Sequence, residues 1–159
     1  MASHILPLPT GVNDPVPTMP VGSLVQFVDP TTKSVTWYRY VQFKDAVTYV
    51  ASPKMVLTWA DTACTTVTND RAGGSSIGQI PAGVCINVQT QNYYGFIQVS
   101  GVVTVGPTDG SVALGELVVP HATTDGGVDT WSSTLQPFGV ALADDVSTTS
   151  VIVKLTGLI

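Results

Sequence analysis

The chain has 159 residues, a formal net charge of -5 and a charged fraction of only 11%. This length is enough for one ordinary domain with a sizeable core, without help from disulfides or metals. The six basic residues are scattered, which excludes sequence-independent nucleic-acid binding, because that binding needs cations grouped against phosphates. No apolar run approaches the roughly 20 residues of a transmembrane helix, and the first residues lack the basic and apolar regions of a signal peptide. We therefore expect neither nucleic acid nor a membrane as a partner.

The composition predicts an all-β fold. There are 25 valines and 21 threonines but a single glutamate, Glu116, and β-branched side chains favour the pleated surface of a sheet over a helix. Short predicted strands separated by turn signals indicate a small antiparallel β-barrel or sandwich. A lone monomer with so few charges would expose large apolar patches, which favours assembly.

Residues 1–21 are predicted to form an extended, proline-rich N-terminal arm. Five of the eleven prolines fall within the first 22 residues, and proline disfavours helix interiors and central strands because it fixes φ and lacks a backbone donor. The arm is too apolar for a solvated linker, so we expect it to dock on a partner as a tether in a groove, with intermittent strand pairing. The predicted contact residues are Ile5, Leu6, Pro7, Leu8, Pro9, Val12, Pro15, Val16 and Pro17.

Residues 22–159 are predicted to form a single β-domain. Residues 22–29 are typical of a first strand, and residues 34–43 give the strongest strand signal in the chain. Aromatic residues occupy both faces of this second strand, so we expect both faces to be covered. Further strands are predicted at 46–51, 55–60, 84–90, 93–100, 102–105, 116–121, 137–143 and 150–155.

Local signals interrupt these strands at three places. A long stretch of small polar residues at about 61–83 predicts a loop that is functional, ordered by neighbours or disordered. Ser100-Gly101 indicates a bulge or break, and Asp125-Gly126 is a hairpin signal. Strands 84–90 and 93–100 are predicted to form an antiparallel pair.

Aromatic residues are concentrated in two of the predicted strands. Aromatic side chains on strands more often belong to a core or a subunit interface than to a ligand site. We therefore predict that they form a subunit interface, and the alternative is a platform on which sugar rings stack. The interface candidates are Trp37, Tyr38, Tyr40, Tyr93 and Tyr94.

One string imitates a catalytic motif. Residues 74–78, GSSIG, match G-x-S-x-G with Ser76 in the nucleophile position, and Asp109 and His121 follow in hydrolase order. That motif requires a helix directly after the serine, and Pro81 with its neighbouring glycines does not allow one. We interpret the string as a loop and predict no catalytic residue.

Metal ligands and redox groups are equally sparse. His121 with Asp125 and Asp129 lacks the ligand number and spacing of a zinc or calcium site, so no metal or cofactor is predicted. Most aspartates adjoin turn residues, which is typical of turn capping. Cys64 and Cys85 are predicted to be buried free thiols rather than a disulfide.

The C-terminal half contains three notable motifs: a predicted strand pair with YGFIQVSG at 94–101, a strand with GELV at 115–118, and a strand with FGVAL at 138–142. In these motifs the chain resembles small phage head-decoration (capsid cement) proteins, over about residues 80–155. These motifs consist of structural glycines and alternating hydrophobic residues rather than reactive groups.

The resemblance implies a structural virion protein rather than an enzyme. Such proteins bind the major capsid protein on the outer surface of the head, often as trimers, stabilise the shell, and in many cases dock an N-terminal arm on it. It implies assembly in the host cytoplasm and a symmetric homo-oligomer. The alternative function is a receptor- or carbohydrate-binding β-domain of a phage head fibre or tail tip.

Overall fold

The computed structural model describes residues 11–45, 54–70, 80–108, 111–131, 135–145 and 149–156, and all regular structure in these ranges is β. This confirms the predicted all-β class. The strands are β1 Leu24–Val28, β2 Val35–Phe43, β3 Val56–Trp59, β4 Thr66–Thr68, β5 Pro81–Cys85, β6 Tyr94–Gln98, β7 Gly101–Val105, β8 Leu117–Pro120, β9 Val128–Thr130, β10 Gly139–Ala141 and β11 Val151–Leu155.

The first six strands build a closed barrel with one strand added outside the ring. The sheet order is β1-β2-β4-β3-β5-β6, and β6 also pairs with β2, which closes the ring. The nine-residue β2 makes closure possible because one of its edges pairs with β1 and then β4, while its other edge pairs with β6. The β2–β4 pairing is parallel, and the other pairings of this sheet are antiparallel.

The last five strands form a second, antiparallel sheet in the order β7-β11-β10-β8-β9. The chain passes from the barrel into this sheet at Gly101, which has φ +97°. A Cβ there would lie 3.0 Å from the Thr36 hydroxyl oxygen, so both the backbone angle and the space favour glycine. The break predicted at Ser100-Gly101 is therefore confirmed.

One continuous apolar core joins the barrel to the second sheet. Its barrel side includes Phe43, Leu57 and Ile97, and its second-sheet side includes Val105 and Val153, all with no exposed surface. The inner residues of β11 alternate with exposed ones along the strand, as expected for a sheet with one face on a core. The second sheet therefore presents its other face outward.

Most predicted strands are found, and β5 shows why one boundary was wrong. The prediction placed this strand at 84–90, but it runs from Pro81 to Cys85. Proline is tolerated as the first residue of a strand, and Gly83 is required because a Cβ would lie 2.7 Å from the Gln98 carbonyl oxygen. Its antiparallel pairing with β6 is confirmed, as is the β8–β9 hairpin. The strand predicted at 46–51 lies outside the described residues.

Candidate interaction surfaces

The outer face of the barrel carries a second apolar cluster, separate from the core. Tyr38, Tyr40, Ile86 and Phe96 are buried there. Tyr40 has no exposed surface, and its ring packs on Phe96 with centroids 5.1 Å apart. Because Val41 and Phe43 belong to the core, β2 is covered on both faces, as its sequence predicted. We call this group the outer-barrel cluster.

The chain itself covers the outer-barrel cluster. Val12 and Met19 of the arm pack against it, together with Val25 and Phe27 of β1 and Tyr94 of β6. The arm segment 11–21 therefore lies across the barrel of its own chain. An apolar, proline-rich segment suits this position, because it supplies apolar surface without needing a full ladder of backbone hydrogen bonds.

Asp14 is the polar centre of this contact. Its backbone exchanges two hydrogen bonds of 2.8 Å with Tyr94, and its carboxylate accepts 2.7 Å bonds from the hydroxyls of Tyr40 and Thr18. Burial raises the pKa of the Tyr40 hydroxyl, and the neighbouring Asp14 carboxylate adds to this effect. The buried Tyr40 hydroxyl thus donates to a charged acceptor, and such hydrogen bonds are stronger than those between neutral groups.

A second set of polar contacts holds the arm just before Asp14. The buried Gln89 donates through Nε2 to the Val12 carbonyl at 2.8 Å, and Asn13 exchanges bonds with Thr90, side chain to side chain at 3.0 Å and backbone N to Oδ1 at 3.1 Å. Gly95 makes the close approach possible, since a Cβ there would lie 2.8 Å from the Val12 carbonyl oxygen. These contacts hold Val12 and Asn13 against the barrel.

The predicted capsid-docking residues divide into two groups. Val12 packs on its own barrel, whereas Pro15, Val16 and Pro17 are exposed, Val16 by 64%. The docking role of these residues stays a prediction. The remaining candidates, Ile5, Leu6, Pro7, Leu8 and Pro9, lie outside the described residues.

Most of the aromatic residues predicted to form a subunit interface pack against other residues of the same chain. Tyr38 and Tyr40 are buried in the outer-barrel cluster, and Tyr94 packs against it. Trp37 packs partly against the core, and Tyr93 is half-buried. The burial of Tyr38 and Tyr40 needs no second subunit, and the role of the group as an interface stays a prediction.

The outer face of the second sheet has an apolar surface that the described residues leave uncovered. Val102 is 57% exposed, Trp131 45% and Ile152 42%, and Leu117 and Leu142 are similarly exposed. We call these five residues the second-sheet row. Strand pairing brings them together across the sheet rather than scattering them.

The pairings place the row on one face. Leu142 donates its backbone N–H to Ile152, and Trp131 donates to Leu117. Lys154 is opposite both Val102 and Val140, and Val140 is also opposite Leu117. The sequence signal was available in β11, where Val151, Ile152 and Val153 are all apolar, so a one-sided sheet must expose one of them. Sequence analysis did not predict an exposed site at any residue of the row.

Two lysines accompany the second-sheet row. Lys154 lies between residues of the row, opposite Val102. Lys54 lines an open groove of about 390 Å³ with Val102, Val103, Thr104 and Ile152. Burial lowers the pKa of the Lys54 ammonium. Among the described residues, no carboxylate forms a salt bridge with either lysine. The face is therefore apolar with positive charge at one end, on a chain whose net charge is negative.

The residues weighed for chemistry are accounted for by local structure where they are described. His121 accepts backbone hydrogen bonds from Thr123 and Thr124 through Nδ1, at 3.1 and 3.0 Å. Within the described ranges no group of three or more His, Cys, Asp or Glu could hold a metal ion. The string around Ser76 and the following Asp109 lie outside the described residues.

Aspartates cap turns as predicted. Asp29 accepts the backbone N–H groups of Thr31 and Thr32 at 2.7 and 2.8 Å, and these bonds lower the pKa of its carboxyl. Asp61 makes a similar turn with Thr65, bonding its N–H at 2.9 Å and its hydroxyl at 2.7 Å.

The two cysteines differ. Both are free, but Cys64 is exposed and only Cys85 is buried, so the prediction of two buried thiols was wrong for Cys64. Cys64 has φ +54° in the turn after Asp61, a surface position that its sequence did not indicate. Burial raises the pKa of the Cys85 thiol to about 11. Among the described residues, no helix is long and apolar enough to cross a membrane.

Comparison with known proteins gives a likeness to a solved structure. No protein-family model and no curated protein matches the chain. Among solved structures, the chain is similar to the head fiber gp8.5 N base in bacteriophage phi29, with 12% identity and a TM-score of 0.46. The match covers 75% of this chain and 92% of that one.

Proposed function

We propose that the chain is a non-enzymatic structural virion protein that decorates and stabilises a bacteriophage head. It binds the major capsid protein on the outer surface of the shell, as a symmetric oligomer. The observation that carries this proposal is the second-sheet row, a contiguous set of exposed apolar side chains on one face of a sheet. Exposed apolar patches of this kind mark protein-binding sites.

Two further observations support a shell as the partner. The motifs at 115–118 and 138–142, which resemble those of head-decoration proteins, include Leu117 and Leu142 of the row itself. Weak contacts through such a face become strong when symmetry repeats them over a lattice. Lys54 and Lys154 favour a partner surface that is apolar and bears carboxylates.

The arm fits the same function as a tether. Its contacts at Val12, Asn13 and Asp14 hold the segment 11–21 on the barrel of its own chain. Capsid docking then falls to Ile5, Leu6 and Leu8 rather than to Val12. Deleting residues 1–10 separates the tether from the barrel cover and should weaken head binding while the domain stays folded. Full occupancy of heads by this truncated chain would contradict the tether.

The central test is the substitution Ile152→Lys in the full chain. Ile80→Lys is the matched control, because Ile80 is also 42% exposed and lies outside the row. We expect Ile152→Lys to weaken binding to heads that lack the protein by at least about tenfold, since it places an unpaired charge in an apolar contact. Co-sedimentation with such heads measures this. Equal binding by both variants would overturn the role of the row.

A specific observation keeps the receptor-binding alternative testable. Trp131 is exposed on the outer face of the second sheet, and an exposed tryptophan ring is able to stack on a sugar. A glycan array distinguishes the two functions. Glycan binding by the full chain that disappears in Trp131→Ala, with head binding unchanged, would favour the carbohydrate-binding function.

A further inference from the structure

We infer that strand β1 pairs antiparallel with β1 of a second copy of this chain, across a two-fold axis at Gln26. This deepens the symmetric-oligomer part of the proposed function, and it concerns a surface other than the second-sheet row. Strand β1 stands at the end of its sheet and, among the described strands, pairs with β2 alone.

The backbone of β1 directs alternate residues to its outer edge. Asp29 donates its N–H to Ser34, and Tyr40 donates to the carbonyl of Ser23, each at 2.9 Å. The backbone N–H and C=O groups of the odd-numbered residues in and beside β1 therefore point towards β2. Because the direction of these groups alternates along an antiparallel strand, those of the even-numbered residues point outward. The N–H and C=O groups of Leu24, Gln26 and Val28 thus point away from β2, towards an edge that no described strand occupies.

This edge lacks the features with which proteins protect sheet edges. The sequence of β1, LVQFV, contains no proline, no lysine and no other charge, although these are the usual devices against edge pairing. The edges of the second sheet differ. Lys54 donates its backbone N–H to Thr104 of β7 at 3.0 Å, and Val128 of β9 donates to Pro107 at 2.8 Å.

The occupant is a second copy because β1 is complementary to itself. When two β1 strands run antiparallel about Gln26, Leu24 stands opposite Val28 of the second copy, and Gln26 stands opposite Gln26. All of these residues have outward backbone groups, so each pair exchanges two hydrogen bonds. On the other face Val25 stands opposite Phe27 of the second copy. Every cross-strand pair is then apolar with apolar or amide with amide, which is the favourable pattern.

Charge points the same way. Two copies of an acidic chain repel each other, so a contact between them requires a segment without like charges facing one another. The nearest charged residue, Asp29, falls opposite Ser23 of the second copy, and Asp29 already accepts bonds from Thr31 and Thr32. A two-fold contact produces a dimer, unlike the trimer that the resemblance to head-decoration proteins implies. Oligomer mass therefore tests the inference directly.

Disulfide trapping tests the register. In a Cys64→Ser background, Gln26→Cys places two thiols opposite each other at a Cα separation of about 5.5 Å, which a disulfide spans. Leu24→Cys is the matched control, because its two thiols lie four residues apart along the pair, about 14 Å. Under mild oxidation we expect covalent dimer from Gln26→Cys only. Equal cross-linking of both variants, or of neither, would overturn the inference.

Sedimentation of the full chain without heads tests the contact itself. We expect concentration-dependent dimers that are lost in Gln26→Lys, because two lysines then face each other at the axis. Lys33→Gln, a charge change at the exposed ribbon tip, should leave the dimer intact. A chain that stays monomeric at about 1 mM, where even a millimolar Kd is detected, or one that forms trimers unaffected by Gln26→Lys, contradicts the two-fold pairing. Head binding is measured separately, so either hypothesis is able to fail alone.

Discussion

Both sheets of this protein have an apolar outer face, and only one of them is covered by described residues. The outer-barrel cluster lies beneath the arm and β1, which supply Val12, Met19, Val25 and Phe27. No described residue covers the second-sheet row in this way, and Trp131 and Val102 remain about half exposed. The same apolar composition therefore serves internal stability on one face and is available for association on the other.

The difference lies in what each cover requires. The barrel face contains Tyr40, whose buried hydroxyl needs an acceptor, and Asp14 of the arm provides it at 2.7 Å. The second-sheet row consists of aliphatic side chains and one tryptophan, whose indole nitrogen donates to the Leu135 carbonyl at 3.0 Å. This row has no buried polar group to satisfy, so a partner needs to match only its shape and its lysines.

The largest effect on stability is expected from Tyr40→Ala. It removes a fully buried ring that contacts Phe96 and Tyr94, and it removes one of the two hydroxyl groups that donate to the Asp14 carboxylate. We expect the free energy of unfolding to fall by about 3 to 5 kcal/mol, measured by denaturant titration. Tyr93→Ala is the control, because Tyr93 is half-buried and outside the cluster, and a loss below about 1 kcal/mol is expected there. Similar losses in both variants would contradict the importance of the covered face.

A smaller effect is expected from Gly95→Ala, which acts on the cover rather than on the cluster. The added Cβ would lie 2.5 Å from the Gln89 amide nitrogen and 2.8 Å from the Val12 carbonyl oxygen, so the arm must shift. We expect a loss of about 1 to 3 kcal/mol and faster hydrogen exchange at the Asp14 amide.

The control for this substitution is Gly115→Ala, because its Cβ would meet no atom within 4 Å although its φ is +86°. It tests backbone strain without a clash and is expected to leave exchange at Asp14 unchanged. Unaltered exchange in Gly95→Ala would show that the arm does not depend on this close approach.

The sequence predicted the covered face but not its cover. Aromatic residues on both faces of the strand predicted at 34–43 correctly indicated that both faces of β2 are covered. The arm was expected to dock on another protein because it is too apolar for a solvated linker. Only the folded chain shows that Val12 meets Gln89 and Gly95, about eighty positions later. Contacts of this length carry no periodic signal.

The uncovered face escaped prediction for a different reason. Alternation in β11 shows that one side is buried, but Ile152 is as hydrophobic as the buried Val151 and Val153. Which residues of neighbouring strands stand beside Ile152 depends on register, and register is set by turns that the sequence leaves open. Thus most of the strands were predictable from the sequence, whereas the row that they form was not.

The smallest effect is expected where the face is uncovered, in the double variant Leu142→Thr/Ile152→Thr. Both side chains are more than two-fifths exposed, so truncating them removes less buried apolar surface than truncating a core residue does, and threonine has the β-branched shape that strands favour. The free energy of unfolding should change by no more than about 0.5 kcal/mol per site. Val151→Thr is the matched control from the buried side of β11 and should cost more, because it places a hydroxyl in the core. If the double variant is as destabilising as Val151→Thr, Leu142 and Ile152 contribute to folding and not only to association, and the two faces differ less than their exposure indicates.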